Sequence, residues 1–336
     1  MYETILALVM LAALVLYALF AGADYGGGMW DLLAFGPNRR QQRDAIADAI
    51  GPVWEANHVW LILVIVLLFS AFPPAFGMIM TALFMPMILI LIGIVLRGTT
   101  FVFRKYDLQR DAVHRRWSAI FGIASFLTPF FLGLSLGALA TGDIRVEEGV
   151  IISGFYAGWT TAFAVGCGLF AQGLFAYLAA VYMTVETEDN PAVQRDFQIR
   201  SLISAVTLAP AALLVYLLAG DGAPYLFDGL SQWWSPPIGA AVSLLGIGAV
   251  VALWVRRFAW ARVAAVLQVT LILVGWGLAQ FPYVIVPDVT FADAATAPAT
   301  LRLLTLILGA GTVLLLPAFA YLFYIFKRRR LPADSR

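Results

Sequence analysis

Long apolar stretches separated by short polar connections dominate the pattern along the chain. A helix needs about 20 residues to cross a bilayer core of roughly 30 Å, and on that measure the pattern predicts nine spans. Their expected limits are 3–23, 53–72, 75–97, 118–140, 153–183, 200–219, 237–255, 260–281 and 302–326. Between the second and third spans only Pro73-Pro74 breaks the apolar run, so a tight turn is expected there.

This pattern predicts an all-α integral membrane protein. Residues 1–336 are expected to form one transmembrane domain without a separate soluble domain, and nine helices would suit two four-helix bundles plus one peripheral helix. The composition agrees, because 62% of the residues are apolar and 12% are charged, against about 25% charged in soluble domains. The first apolar stretch lacks a basic flank and a cleavage site, so we interpret it as a retained span.

The basic residues are distributed very unevenly. On the predicted topology, 19 of the 21 lie in connections on one side, and only Arg145 and Arg302 lie on the other. The positive-inside rule therefore predicts a cytoplasmic carboxyl terminus and an amino terminus outside.

Few residue types for redox or metal chemistry are present. The single cysteine, Cys167, lies in an apolar run and excludes an internal disulfide. Of the two histidines, His114 falls in a basic connection and is expected to be a solvated loop residue. That leaves His58, so neither a bis-histidine haem nor a metal site is expected in this chain. Gly26-Gly27-Gly28 indicates a helix interruption or close packing rather than a nucleotide-binding loop.

A polar cluster at the start of the second span is the strongest candidate for chemistry. On a helix, Trp54, Glu55 and His58 share one face, and Asn57 lies beside them. Asp24 lies about 31 Å along the first helix, at 1.5 Å per residue, so it is expected at the same membrane level as Glu55. Ionisable groups at such a depth are expensive and mark functional sites, and these groups could pass protons from water to a buried acceptor.

A second interpretation stays open at this point. Asp24 and Glu55 could instead be interfacial residues at helix ends, paired with Arg39, Arg43 or Arg97. Arg97 by itself would then be a side chain that extends from the end of its helix to water. A stand-alone transporter of an ion or small solute is the alternative function, although the sequence has few polar residues at mid-depth and no clear pair of broken spans.

Several motifs resemble a known family. Residues 51–62 (Gly-Pro-Val-Trp-Glu-Ala-Asn-His-Val-Trp-Leu-Ile) resemble the signature of subunit II of cytochrome bd quinol oxidases, and residues 22–29 (Gly-Ala-Asp-Tyr-Gly-Gly-Gly-Met) are similar to the family's first-helix ending. Further similar positions are 97–98, 101–104, 116–142, 172–173 and 281–284. The short connections resemble the cyanide-insensitive branch of the family.

The resemblance implies a function in a bacterial respiratory chain, in the cytoplasmic (inner) membrane. The complex would oxidise a membrane quinol at the outer face and reduce dioxygen to water with cytoplasmic protons, generating a proton motive force. Haem b and haem d would lie mainly or wholly in a partner, subunit I, which this chain would stabilise. The resemblance leaves open a bound quinone or lipid in this chain, and a small single-helix third subunit.

The resemblance also carries over to individual residues. Glu55 stands where the family has an acidic residue implicated in proton uptake, and Asp24 matches an acid of the first helix. His58 stands where some members have glutamine. A proton pathway through Glu55, Asp24 and His58 is therefore expected, supported by Trp54, Asn57 and Arg97.

Overall fold

The computed structural model describes residues 1–50, 57–106 and 111–328, and twelve helices and two short hairpins make up most of this part of the chain. The helices are α1 (Tyr2–Leu32), α2 (Arg39–Ile50), α3 (Val59–Ala71), α4 (Pro73–Ala82), α5 (Phe84–Tyr106), α6 (Asp111–Ala140), α7 (Ala162–Glu186), α8 (Pro191–Gly222), α9 (Pro224–Leu230), α10 (Ser235–Trp254), α11 (Phe258–Gln280) and α12 (Pro298–Arg328). The antiparallel hairpins are β1 (Val146–Glu147) with β2 (Val150–Ile151), and β3 (Tyr283–Ile285) with β4 (Val289–Thr290).

The prediction of an all-α membrane protein is confirmed. Within the described residues, seven helices (α1, α5, α6, α7, α8, α10 and α11) are long and apolar enough to cross a bilayer. The pair α3 and α4 meets the same criterion only when both helices are taken together, and α12 contains the shorter apolar stretch Pro298–Leu314.

The predicted third span, 75–97, is wrong in its boundaries. The second span ends at Ala71, one residue before its predicted end, and its predicted start at residue 53 lies outside the described residues. Instead of one turn followed by a span from residue 75, Pro73 and Pro74 begin a separate short helix, α4, which is bent by 117° from α3. Proline suits the first turn of a helix, where its missing N–H would have no partner, and it cannot continue the preceding helix. The next long helix therefore begins at Phe84.

Other boundaries differ from the prediction as well, including the start of α8, which is Pro191 rather than residue 200. Helix α1 continues to Leu32, well past residue 23, and α6 already begins at Asp111, so that His114 lies in a helix rather than a loop. The helix predicted from residue 153 begins at Ala162, because Thr161 caps it by accepting a hydrogen bond from the Ala164 N–H at 3.1 Å.

Helices α1 and α7 lie at the centre of the bundle. Helix α1 packs against α3, α6, α7, α11 and α12, while α7 packs against α1, α6, α8 and α11. The glycine triplet of α1 permits this close approach. A Cβ atom at Gly26 would lie 2.0 Å from the Phe175 carbonyl oxygen, and one at Gly28 would lie 2.1 Å from Ser125 Oγ. The triplet thus serves close packing, and the alternative of a helix interruption is wrong.

The connections α1–α2, α7–α8 and α10–α11 lie at one end of the bundle, which we call the basic end, since Asn38 donates to Asp196 and Gln198 donates to the Leu253 carbonyl. At the opposite end, Arg145 joins the two hairpins. Its Nε and Nη2 donate to the Asp288 carboxylate at 2.8 and 3.0 Å, and the Val146 N–H donates to the same group at 2.8 Å.

Candidate functional site

A buried ion pair joins α1 to α5 toward the basic end. Arg97 from α5 and Asp24 from α1 are only 2% and 4% exposed. Arg97 Nη2 donates to Asp24 Oδ1 at 2.7 Å and to the Asp24 main-chain oxygen at 3.0 Å, while Nη1 donates to Oδ2 at 3.0 Å. The interpretation of Arg97 as a side chain extending to water is therefore wrong, because its guanidinium turns inward and binds Asp24 with both Nη atoms.

The rest of the Arg97 guanidinium is also accommodated. Its Nε donates to Ser125 Oγ at 3.2 Å, and the Ser125 hydroxyl donates in turn to the Phe121 carbonyl at 2.7 Å. The guanidinium carbon lies 4.6 Å from the centroid of the Tyr25 ring and 5.0 Å from that of Phe121. Paired charge, filled donors and aromatic faces together offset the free-energy cost of removing both charges from water.

His58 lies beside this pair, at the N-terminal cap of α3. Its ring centroid is 6.1 Å from that of Tyr17 and 6.0 Å from that of Tyr25, and the two tyrosine hydroxyl oxygens are 3.4 Å apart. The Nδ1 atom of His58 is buried, and no hydrogen-bond partner reaches it from the described ranges of the chain. An unfilled imidazole nitrogen at this depth is a group that can exchange a proton or accept a hydrogen bond from a water molecule.

The structure brings together three of the residues singled out from sequence, namely Asp24, Arg97 and His58. Asn57 is buried next to His58. Trp54 and Glu55 lie outside the described residues. The open interpretation of Asp24 as a partner of Arg97 is confirmed, but its placement at a helix end is wrong, because α1 continues for two more turns.

Sequence reasoning missed Tyr17, Tyr25 and Ser125. The signal for the tyrosines was available, since Tyr17 lies seven and eight residues before Asp24 and Tyr25 and hence on the same face of α1. Ser125 had no comparable signal. Its hydroxyl reaches Arg97 because Gly28 leaves room for α6 against α1.

Of the titratable groups in this cluster, His58 is the one whose side chain has a nitrogen without a partner among the described residues. Both carboxylate oxygens of Asp24 accept hydrogen bonds from Arg97, so this carboxylate holds the guanidinium in place. Within the described ranges, no group of three His, Cys, Asp or Glu side chains converges in the way that a protein metal site requires. The fold and this cluster define a class, a helical membrane protein with a buried charged site toward one end of its bundle.

Comparison with known proteins identifies the family. Residues 2–326 match the family described as cytochrome bd terminal oxidase subunit II, and the chain belongs to this family. The resemblance seen in the sequence motifs is thereby confirmed.

Individual relatives agree along most of their length. A Bacillus subtilis (strain 168) protein, provisionally named cytochrome bd menaquinol oxidase subunit II, is 27% identical over 93% of this chain and 92% of its own length. The cytochrome bd-I ubiquinol oxidase subunit 2 of Escherichia coli (strain K12) is 24% identical over 87% and 85%. A chain of the bd oxidase from Geobacillus thermodenitrificans has the same fold, with a TM-score of 0.76, 22% identity and coverage of 97% and 98%.

Proposed function

We propose that this chain is subunit II of a bacterial quinol:dioxygen oxidoreductase, in which it stabilises subunit I and supplies a cytoplasmic proton-uptake path. Family membership supports the place in the complex. The observation that carries the proton path is the buried Asp24–Arg97 pair with the unfilled Nδ1 of His58 beside it. Ionisable groups inside a helical bundle are costly in free energy, and for this reason they usually mark a functional site.

The residues of the path have different roles. Glu55 and His58 carry the proton, Glu55 on the basis of the family motif and His58 because its Nδ1 is unfilled. Asp24 holds the Arg97 guanidinium in place and balances its charge. The electrostatic potential next to the two proton-carrying side chains therefore stays constant. Trp54 and Asn57 are proposed to support the path.

The haems belong to the partner in this proposal. A six-coordinate haem needs two axial ligands, and among the described side chains of this chain His58 is the only histidine, packed between two tyrosine rings. These residues do not fit a haem of that type. We therefore assign haem b and haem d to subunit I, where quinol oxidation and dioxygen reduction would take place.

The proposed topology has nine spans, with the amino terminus outside and the basic end in the cytoplasm of a bacterium. Its support is the set of seven apolar helices, the bent pair α3–α4 and the apolar part of α12. The proposed bundles are α1, α3, α5 and α6 in the first and α7, α8, α10 and α11 in the second, and they pack closely against each other through α1 and α6 on one side and α7 on the other. Helix α12 lies against α1 and α3 at the edge, as a peripheral helix would.

The assembly is tested by purifying the complex through a tag on this chain. We expect the optical bands of b- and d-type haem to co-purify, together with quinol-dependent oxygen consumption. Solute uptake into vesicles by the chain alone, without any haem protein, would instead favour a stand-alone transporter.

The proton path is tested with Glu55→Gln, which keeps the shape of the side chain but cannot carry a charge. We expect proton uptake and oxygen consumption in proteoliposomes to fall about 100-fold, a typical contribution of a positioned proton-transfer group, with the haem spectrum unchanged. His58→Gln should slow turnover less. Asp44→Asn, an exposed carboxylate of α2, is the matched control and should have no effect. Full activity of Glu55→Gln in an intact complex would exclude the path without affecting the family assignment.

A further inference from the structure

A second buried arginine, Arg200 of α8, lies at the basic end and is only 6% exposed. Its guanidinium carbon lies 5.2 Å from the ring centroid of Trp30, 5.4 Å from that of Phe35 and 5.2 Å from that of Phe197. Three aromatic faces therefore surround the cation, which has been taken largely out of water.

The hydrogen bonds of Arg200 are incomplete. Its Nη2 donates to Gln42 Oε1 at 2.7 Å, but its buried Nη1 has no partner among the residues that the structure describes. In the described part of the chain no hydrogen bond joins Arg200 to the Asp196 carboxylate, whose Oδ2 accepts from Gln42 Nε2 at 2.7 Å and from Asn38 Nδ2 at 3.0 Å. Arg97 has every guanidinium nitrogen bonded, whereas Arg200 keeps a charged donor unfilled, which costs free energy until an acceptor arrives.

Phe35 is the part of this aromatic shell that can move. Its side chain is 72% exposed in the connection between α1 and α2, whereas Phe197 is fully buried and Trp30 is anchored by a hydrogen bond from its Nε1 to the Ala176 carbonyl at 2.8 Å. A change of side-chain rotamer at Phe35 would uncover Arg200 without disturbing the bundle.

The surface around Phe35 combines apolar and basic groups. Leu33 on the connection and Ile203 of α8, one turn after Arg200, are exposed. Arg39 and Arg40, in the first turn of α2, are exposed as well. Apolar side chains beside clustered arginines at the basic end of a membrane protein match the boundary between the acyl chains and the phosphate groups of a lipid leaflet.

We propose that Arg200 binds the phosphate group of an anionic phospholipid through Nη1. The phosphate supplies the missing acceptor and balances the charge, Arg39 and Arg40 face the remaining headgroup, and the acyl chains lie against Phe35 and Ile203. Guanidinium–phosphate pairing is strong and directional, and it holds the phosphate of any phospholipid. Selection for an anionic lipid comes from Arg39 and Arg40, because the quaternary ammonium of a zwitterionic headgroup would lie beside these cations, whereas an anionic headgroup has no such group.

The first test uses the wild-type complex and needs no variant. The complex is placed in nanodiscs of phosphatidylcholine alone or with phosphatidylglycerol, and retained lipids are counted by native mass spectrometry alongside the melting temperature. We expect preferential retention of phosphatidylglycerol and a higher melting temperature. Millimolar inorganic phosphate added to phosphatidylcholine nanodiscs should not reproduce the shift. Equal retention of both lipids, or an equal shift with inorganic phosphate, would overturn the proposal.

The second test assigns the effect to Arg200. Arg200→Gln should lower the retention of phosphatidylglycerol about tenfold, the equivalent of one hydrogen bond to a charged group. Arg195→Gln removes an exposed arginine of the same helix and should retain the lipid as the wild type does. Should Arg200→Gln fail to assemble, Arg200→Lys keeps the charge without the planar fork and is expected to weaken retention as well. Unchanged retention in the Arg200 variants, or a carboxylate of subunit I bound to Nη1 in the assembled complex, would refute the site.

Discussion

The Asp24–Arg97 pair is stable inside the bundle because each of the three guanidinium nitrogens of Arg97 donates a hydrogen bond to an acceptor. Removing one member of a buried pair costs about 3–5 kcal/mol, since the remaining charge stays in a poorly polarisable environment. We therefore expect Asp24→Asn to lower the free energy of unfolding of the purified complex by about that amount, as measured by denaturation in mixed detergent.

Glu186→Gln is the control for this measurement. Glu186 pairs with Arg262 at 3.3 Å, but both side chains are partly exposed, so the loss should stay below about 1 kcal/mol. Replacing Asp24 and Arg97 together by apolar residues should cost less than Asp24→Asn alone. Equal losses in Asp24→Asn and Glu186→Gln would contradict the view that burial makes the pair strong.

At the scale of elements, the contact of α1 with α7 depends on a missing side chain. A methyl group at Gly26 would meet the Phe175 carbonyl at 2.0 Å, and main-chain atoms inside a packed helix cannot give way locally. We expect Gly26→Ala to separate the two helices and to reduce stability by about 1–3 kcal/mol. The reduction should be visible as a lower melting temperature and as loss of the complex during purification.

Gly248→Ala tests whether this effect is due to contact rather than to glycine as such. Gly248 lies in α10, where a Cβ atom would meet nothing within 4 Å. The variant should melt close to the wild type or slightly above it, because alanine favours helix. A similar loss in both variants would show that close packing at Gly26 is not the cause.

The lengths of the elements show which part of the fold can be predicted locally. Apolar runs predict the long helices, because a continuous run of about 20 apolar residues is enough by itself to favour a helix that spans the lipid. The bend at Pro73 and the short helix α4 were missed, because an apolar run followed by two prolines does not reveal the angle at which the chain continues. The ten residues of α4 are mostly apolar, like those of α3, although α4 is bent by 117° from α3.

At the scale of the whole molecule, Arg145 and Asp288 hold together two hairpins that are 143 residues apart in sequence. The hydrogen bond from Arg145 lowers the pKa of the Asp288 carboxyl. Partial burial raises this pKa, and the hydrogen bond from the Val146 N–H lowers it further. A carboxylate with a lowered pKa stabilises the folded state at a pH above its unfolded value, and this contribution is lost as the pH falls through the folded pKa.

We therefore expect Asp288→Asn to lower the melting temperature at pH 7. The difference from the wild type should shrink below about pH 4, where the carboxyl in the unfolded chain takes up a proton. Melting curves of the complex between pH 7 and pH 3 would measure this difference, with the exposed Asp143→Asn as a control that should follow the wild type throughout. A difference that stayed constant down to pH 3 would exclude the carboxylate as the stabilising group.

The sequence by itself determined that this chain is a helical membrane protein and predicted that its basic residues lie on one side, because hydropathy and charge act on each span separately. It also marked Asp24 and His58, since polar groups at a membrane-spanning helix are rare enough to stand out. Only the tertiary structure decided that Arg97 turns inward to Asp24 and that Arg200 keeps an unfilled donor. Both outcomes depend on which helices approach each other and how closely. The distance between two helices is set by glycines and aromatic rings that lie far apart in the sequence, so no local pattern predicts it.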